Sequence, residues 1–222
     1  VAKLNSDGDA LVFGTYLQIA DTTSPNYLLR GLDVSAAGKV AVTGMSGINS
    51  GFPETNPVAG QSCTVAGNDN SDGFVALFGT SGTLEFASCL AGSIRNGPSP
   101  EALRGVAIGS NGDLYVVGLS SMTDFPVVNP IQGAKPVANQ RIMTVSQIDP
   151  DTSTLVFSTY FGPTAEDLPP GSGSFMGLFP ADIEVDSAGN IVVIGTVNSM
   201  SYPTLNATQV NLSVPQNTAQ FR

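Results

Sequence analysis

The 222-residue chain carries a net charge of −10, and its eight basic residues are scattered singly. No cluster could neutralise several phosphates together, which excludes nucleic acid as a partner class. With 41% hydrophobic and 12% charged residues the chain is a globular one that can bury a core, and no apolar run reaches the ~20 residues of a membrane-spanning helix.

Twenty-five glycines and fifteen prolines suit short strands and tight turns rather than long helices. In chain order, Val1 to Leu4 predicts a strand entering the turn Asn5-Ser6-Asp7-Gly8. Leu11 to Leu17 predicts its return, Leu32 to Gly38 a third strand and turn, and Val40 to Gly44 a fourth strand. The pair Phe52-Pro53 follows. The series then restarts with Val75 to Gly82, Leu84 to Leu90, Val106 to Gly112, Leu114 to Gly118 and Phe125-Pro126. A third round runs through Val145 to Asp151, Leu155 to Phe161, Ile183 to Gly189, Ile191 to Gly195 and Tyr202-Pro203. Glycine ends most of the turns because such hairpins need a positive φ.

Five blocks recurring three times make this a repeat protein. The units are 1–72, 73–140 and 141–216, and 217–222 either begins a further unit or supplies a ring-closing strand. A four-stranded antiparallel meander cannot bury both faces alone, and stacking copies around an axis solves that problem. The expected fold is therefore an all-β propeller of about three four-stranded blades. Propellers use about four to eight, so the chain is expected to be part of a larger propeller or of an assembly. Val1 falls inside a strand pattern, which fits either a processed chain or part of a longer polypeptide.

The pattern resembles the bacterial SBBP beta-propeller repeat. The resemblance rests on Val1 to Gly8, Leu155 to Gly162, Val185-Asp186-Ser187-Ala188-Gly189-Asn190 and Asp124-Phe125-Pro126-Val127-Val128-Asn129-Pro130. It implies a scaffold without a defined chemistry, found in secreted or cell-surface bacterial proteins.

In such a meander the tight turns share one end, and the long segments 18–28, 45–72, 91–102, 119–140 and 163–178 share the other. Long loops on a rigid scaffold are the default place for binding. Cys63 and Cys89 both run toward that end and are expected to form a disulfide, which implies an oxidising compartment: secreted, cell-surface or periplasmic. The absence of histidine removes Ser-His-Asp and Cys-His nucleophilic machinery and histidine zinc sites.

A weak calcium candidate is Asn68, Asn70 and Asp72, with oxygen ligands at alternate positions before Gly73 but no carboxylate at the twelfth position. Asp72-Gly73 also reads as an ordinary structural turn. Glu101, Glu166 and Asp167 are carboxylates of the long-loop end, and Asp182, Glu184 and Asp186 alternate along one strand. Arg30 and Arg104 are repeat equivalents, with Ala181 in the third unit. They either line an inner channel and bind an anion or pair with acidic neighbours. The functional expectation is a non-catalytic module that needs no cofactor and binds a glycan or protein through its loops. The alternatives are a structural or accessory subunit that self-associates or joins a larger extracellular assembly, and a carboxylate-based glycoside hydrolase or lyase.

Overall fold

The computed structural model describes residues 1–17, 28–47, 51–63, 71–93, 102–135, 141–163, 178–197 and 202–209. These contain twelve strands and no helix: β1 (Ala2–Leu4), β2 (Leu11–Gly14), β3 (Leu28–Val34), β4 (Val40–Gly47), β5 (Ser71–Phe78), β6 (Leu84–Leu90), β7 (Ala102–Ile108), β8 (Leu114–Ser120), β9 (Ile142–Asp149), β10 (Thr154–Phe161), β11 (Leu178–Val185) and β12 (Ile191–Val197). All pairings are antiparallel, so the all-β class and the four-stranded sheets expected from the repeat are present.

The tight turns share one geometry. In the β3–β4 turn the Gly38 N–H donates to Ser35 O at 2.8 Å, the Ser35 N–H donates to Lys39 O at 3.0 Å, and Gly38 has φ 86°. This is a type I turn closed by a left-handed residue, which glycine enters at no steric cost. Gly82, Gly112 and Gly189 repeat it, the Gly8 turn is one residue longer with the Asn5 N–H donating to Ala10 O, and Ser153 takes the left-handed position between β9 and β10.

The hydrogen-bonded sheets are offset by two strands from the sequence units. One sheet has the order β3-β4-β5-β6 and the next β7-β8-β9-β10, while β1-β2 and β11-β12 are two-stranded. Among the described residues no sheet closes on itself. Phe13 of β2 packs with Val40, Val42 and Phe74 of the first full sheet. Val75, Leu77 and Phe86 of that sheet pack with Val106, Leu114 and Val116 of the second. Tyr115, Val117 and Met143 then pack with Ile183, Ile191 and Val193 of the last pair. Each of the two four-stranded sheets is therefore covered on both faces by a neighbour on each side.

The first strands of successive sheets, β3, β7 and β11, lie side by side. A methyl group at Gly31 would sit 3.0 Å from Arg104 O and from the Gly105 Cα; one at Gly105 would sit 3.1 Å from the Asp182 Cα and the Ile183 N. Asp33 fastens the first contact, because its Oδ2 accepts the Ile108 N–H at 2.7 Å.

The aromatic-Pro blocks edge the sheets. Thr55 bridges Ala87 on β6, and Val128 bridges Ser158 on β10. Asn56 and Asn129 adopt left-handed φ and donate side-chain bonds to Glu85 O (3.1 Å) and Val156 O (3.2 Å). Phe52 and Phe125 are buried behind them.

Candidate functional site

The inner strands each carry a β-bulge at one equivalent point. Pairing skips Arg30 between Leu29 and Gly31, Arg104 between Leu103 and Gly105, and Ala181 between Pro180 and Asp182. A bulge leaves its extra residue outside the ladder and redirects its side chain, a common device at functional sites. These bulges lie near the starts of β3 and β7, at the long-loop end.

Arg30 and Arg104 form a cationic cluster there with Arg141, which immediately precedes β9. Burial first, and then the Arg30 charge, lowers the Arg104 pKa; burial and then Arg104 lower that of Arg141. Like charges thus face one another in a partly desolvated place, in a chain whose net charge is −10. The Arg104 Nε is buried without a hydrogen-bond partner, and its guanidinium stands 5.7 Å from the centre of the Phe179 ring.

Among the described residues neither Arg30 nor Arg104 forms an ion pair with a carboxylate; the pair formed there is Lys39–Glu85 at 2.8 Å. The nearby carboxylates bind main-chain donors instead. Asp33 takes the N–H groups of Val34 and Ile108, and Asp182 takes that of Ile183. A buried guanidinium nitrogen left without an acceptor carries the cost of its desolvation, which an incoming anion would relieve. Arg141 is absent from the sequence-derived set because it has no repeat equivalent; only packing brings it to Arg104.

The disulfide is present. Cys63 and Cys89 are both buried with Cα atoms 5.3 Å apart, a spacing suited to a bridge. It closes the first long link onto β6, supported by Glu54, whose Oε1 accepts the Cys63 N–H at 2.5 Å and the Ser62 hydroxyl at 3.0 Å. Beside it lies a polar cleft of about 130 Å³ lined by Gln61, Ser62, Asp72, Ser93 and Asp124. Burial alone pushes the Asp72 carboxyl up to about 7. Asp124 is held by the Ser93 N–H (2.9 Å) and hydroxyl (2.7 Å).

Asp72-Gly73 is not a turn, contrary to expectation. The β4–β5 ladder continues past the repeat's usual start, pairing Ser46 with Asp72 and Gly47 with Ser71. Asn68 and Asn70, the other members of the calcium candidate, lie outside the described residues, as do Glu101, Glu166 and Asp167. No three His, Cys, Asp or Glu side chains gather as a metal-binding group among the described residues. Asp182 and Glu184 are exposed on β11, while Asp186 belongs to the following turn and binds Asn190.

No protein-family model and no curated protein matches this chain. Among the described residues no helix is long and apolar enough to cross a membrane.

Proposed function

We propose that this chain is a non-catalytic, propeller-type module of a secreted or cell-surface protein, and that it holds an anionic group of a glycan or protein partner at the long-loop end of its inner strands. The observation that carries the reading is the Arg30–Arg104–Arg141 cluster, whose central member has a buried, unpartnered Nε. Arginine suits the role because its planar fork matches sulfate, carboxylate and phosphate groups in pairs of hydrogen bonds. Three inner strands side by side, each opening an antiparallel sheet, support the propeller-type reading, together with the resemblance to SBBP repeats. The Cys63–Cys89 bridge suits an oxidising compartment.

Titration calorimetry with inorganic sulfate and with a sulfated or uronic-acid oligosaccharide tests the reading. Wild-type binding that weakens with salt and is lost in Arg104→Met supports it. Binding equal in wild type and Arg104→Met refutes the arginine site. A structural-subunit role is the second reading, favoured by the strand edges of β1-β2 and β11-β12 that pair with no further strand among the described residues.

A further inference from the structure

The polar cleft beside the disulfide draws on two repeats. Gln61 and Ser62 come from the first long link, Asp72 from the start of β5, Gly92 and Ser93 from just past β6, and Asp124 from the second link. The end of β6 gathers them. Gly73 pairs with Leu90, and the next positions along are Asp72 and Ala91, whose N–H donates to Gln61 Oε1 at 2.9 Å. A methyl group at Gly92 would stand 2.6 Å from Asp124 Oδ1, so glycine is what lets that carboxylate approach, while Ser93 holds its Oδ2.

The second full sheet shows that the fold does not need an acid at the position of Asp72. Ser46 pairs with Asp72 as Ser120 pairs with Ile142. The Gly162 N–H donates to Gln132 Oε1 at 3.1 Å, just as the Ala91 N–H does to Gln61. There Ile142, 1% exposed, closes the place by apolar packing, and a methyl group at Gly162 would stand 3.1 Å from its Cγ1. In the first sheet the same place holds a carboxylate that is 6% exposed and lines the cleft. Burial alone moves its pKa, and neither a hydrogen bond nor a cation offsets its charge among the described residues. A buried carboxylate without a partner costs stability that the apolar alternative would not.

We propose that this cleft binds a calcium ion, held by the carboxylates of Asp72 and Asp124 together with the neutral oxygens of Gln61, Ser62 and Ser93.

The hydrogen bonds already formed turn acceptors toward a cation. The Ser62 hydroxyl donates to Glu54 Oε1, the Ser93 hydroxyl to Asp124 Oδ2, and the Gln61 amide nitrogen to Gly60 O. A hydroxyl whose proton is spent offers only lone pairs to anything else. The volume of about 130 Å³ also favours an ion. Pockets for organic ligands begin at roughly 300 Å³.

Oxygen donors select a hard cation. The chain has no histidine, and both cysteines are committed to the disulfide. Calcium accepts an irregular set of carboxylate, amide and hydroxyl oxygens, whereas magnesium demands a near-ideal octahedron. Asp72 and Asp124 are two carboxylates, short of a three-member group of His, Cys, Asp or Glu. That charge count places the affinity at about 10⁻⁴–10⁻³ M, the range of extracellular modules. A bound ion would tie the first link, already stapled by Cys63–Cys89, to the second and so join two repeats. The site is separate from the arginine cluster and does not rest on it.

The test uses the 222-residue chain with its disulfide intact, stripped of metal by a chelator. Calorimetric titration with calcium chloride is expected to show one site with a dissociation constant of about 10⁻⁴–10⁻³ M. Adding about 10 mM calcium is expected to raise the melting temperature above that in chelator. Asp72→Asn should fold and, without metal, melt above wild type, yet bind calcium more weakly by on the order of tenfold or more. Asp72→Ile, which copies the second sheet, should lose the calcium-dependent shift. Glu184→Gln, an exposed carboxylate on β11, should keep it. Wild type that gives neither calcium heat nor a melting shift overturns the proposal. So does a calcium response that Asp72→Asn retains in full, or one that Glu184→Gln loses equally. An equal response to magnesium chloride overturns the assignment to calcium.

Discussion

Replacing Asp72 by Asn should make the protein more stable, and only above acid pH. Asp72 is buried in β5, and burial without an offsetting cation raises its pKa from 3.8 to about 7. The folded state therefore keeps the proton up to about pH 7, whereas the unfolded chain releases it near pH 3.8. Between those values the folded state binds more protons, so stability falls as pH rises and levels off above about 7. A difference of about three pH units, at about 1.36 kcal/mol each, sets a ceiling of roughly 4 kcal/mol on the penalty at pH 8. Asparagine has nearly the same shape and cannot ionise. For a chain of this size the gain corresponds to a rise in melting temperature on the order of 10 °C. Urea melts of wild type and Asp72→Asn at pH 4 and pH 8 check it: curves nearly superimposed at pH 4 and separated at pH 8. A gap of equal size at both pH values, or none at pH 8, refutes the burial argument.

Breaking the Cys63–Cys89 bridge by a Cys63→Ser/Cys89→Ser double substitution should cost roughly 3 kcal/mol, given its 26-residue separation, measured as a lower denaturation midpoint. Arg104→Met should abolish sulfate binding while leaving the melting temperature unchanged or raised, because it removes a desolvated cation facing Arg30. Gly118→Ala should destabilise the second full sheet by about 1–3 kcal/mol, since the added methyl would stand 2.5 Å from Ala102 O and 2.8 Å from the Leu103 Cδ2. A chemical melt of that variant that matches wild type would show that the β7–β8 contact yields without cost.

The sequence by itself determined the strands, their turns and their repetition. These are local properties: alternation sets which side chains share a face, and a glycine such as Gly38 closes a turn by its own backbone freedom. The disulfide was also legible, because strand direction alone carries Cys89 to the end where Cys63 lies. The boundary of each sheet was not legible. A repeat can be cut at any of its four connections without changing the alignment, and only hydrogen bonding shows that β4 joins β5 across the long link. The same blindness hid the place of Asp72, because a ladder that continues two residues past the repeat pattern is decided by its partner strand.

Arg30 and Arg104 were found by repeat equivalence, but the lack of an ion pair to either of them among the described residues was not. Asp33 and Asp182 spend their oxygens on backbone donors that only the packed inner strands present. Arg141 comes near Arg104 only through the folding of distant segments, which no spacing records. Only the tertiary structure decided which apolar residues remain bare. Leu32 and Val106, or Ile194 and Val117, are alike in sequence and differ because one of each pair is covered by a neighbouring sheet and the other is left exposed by the described residues.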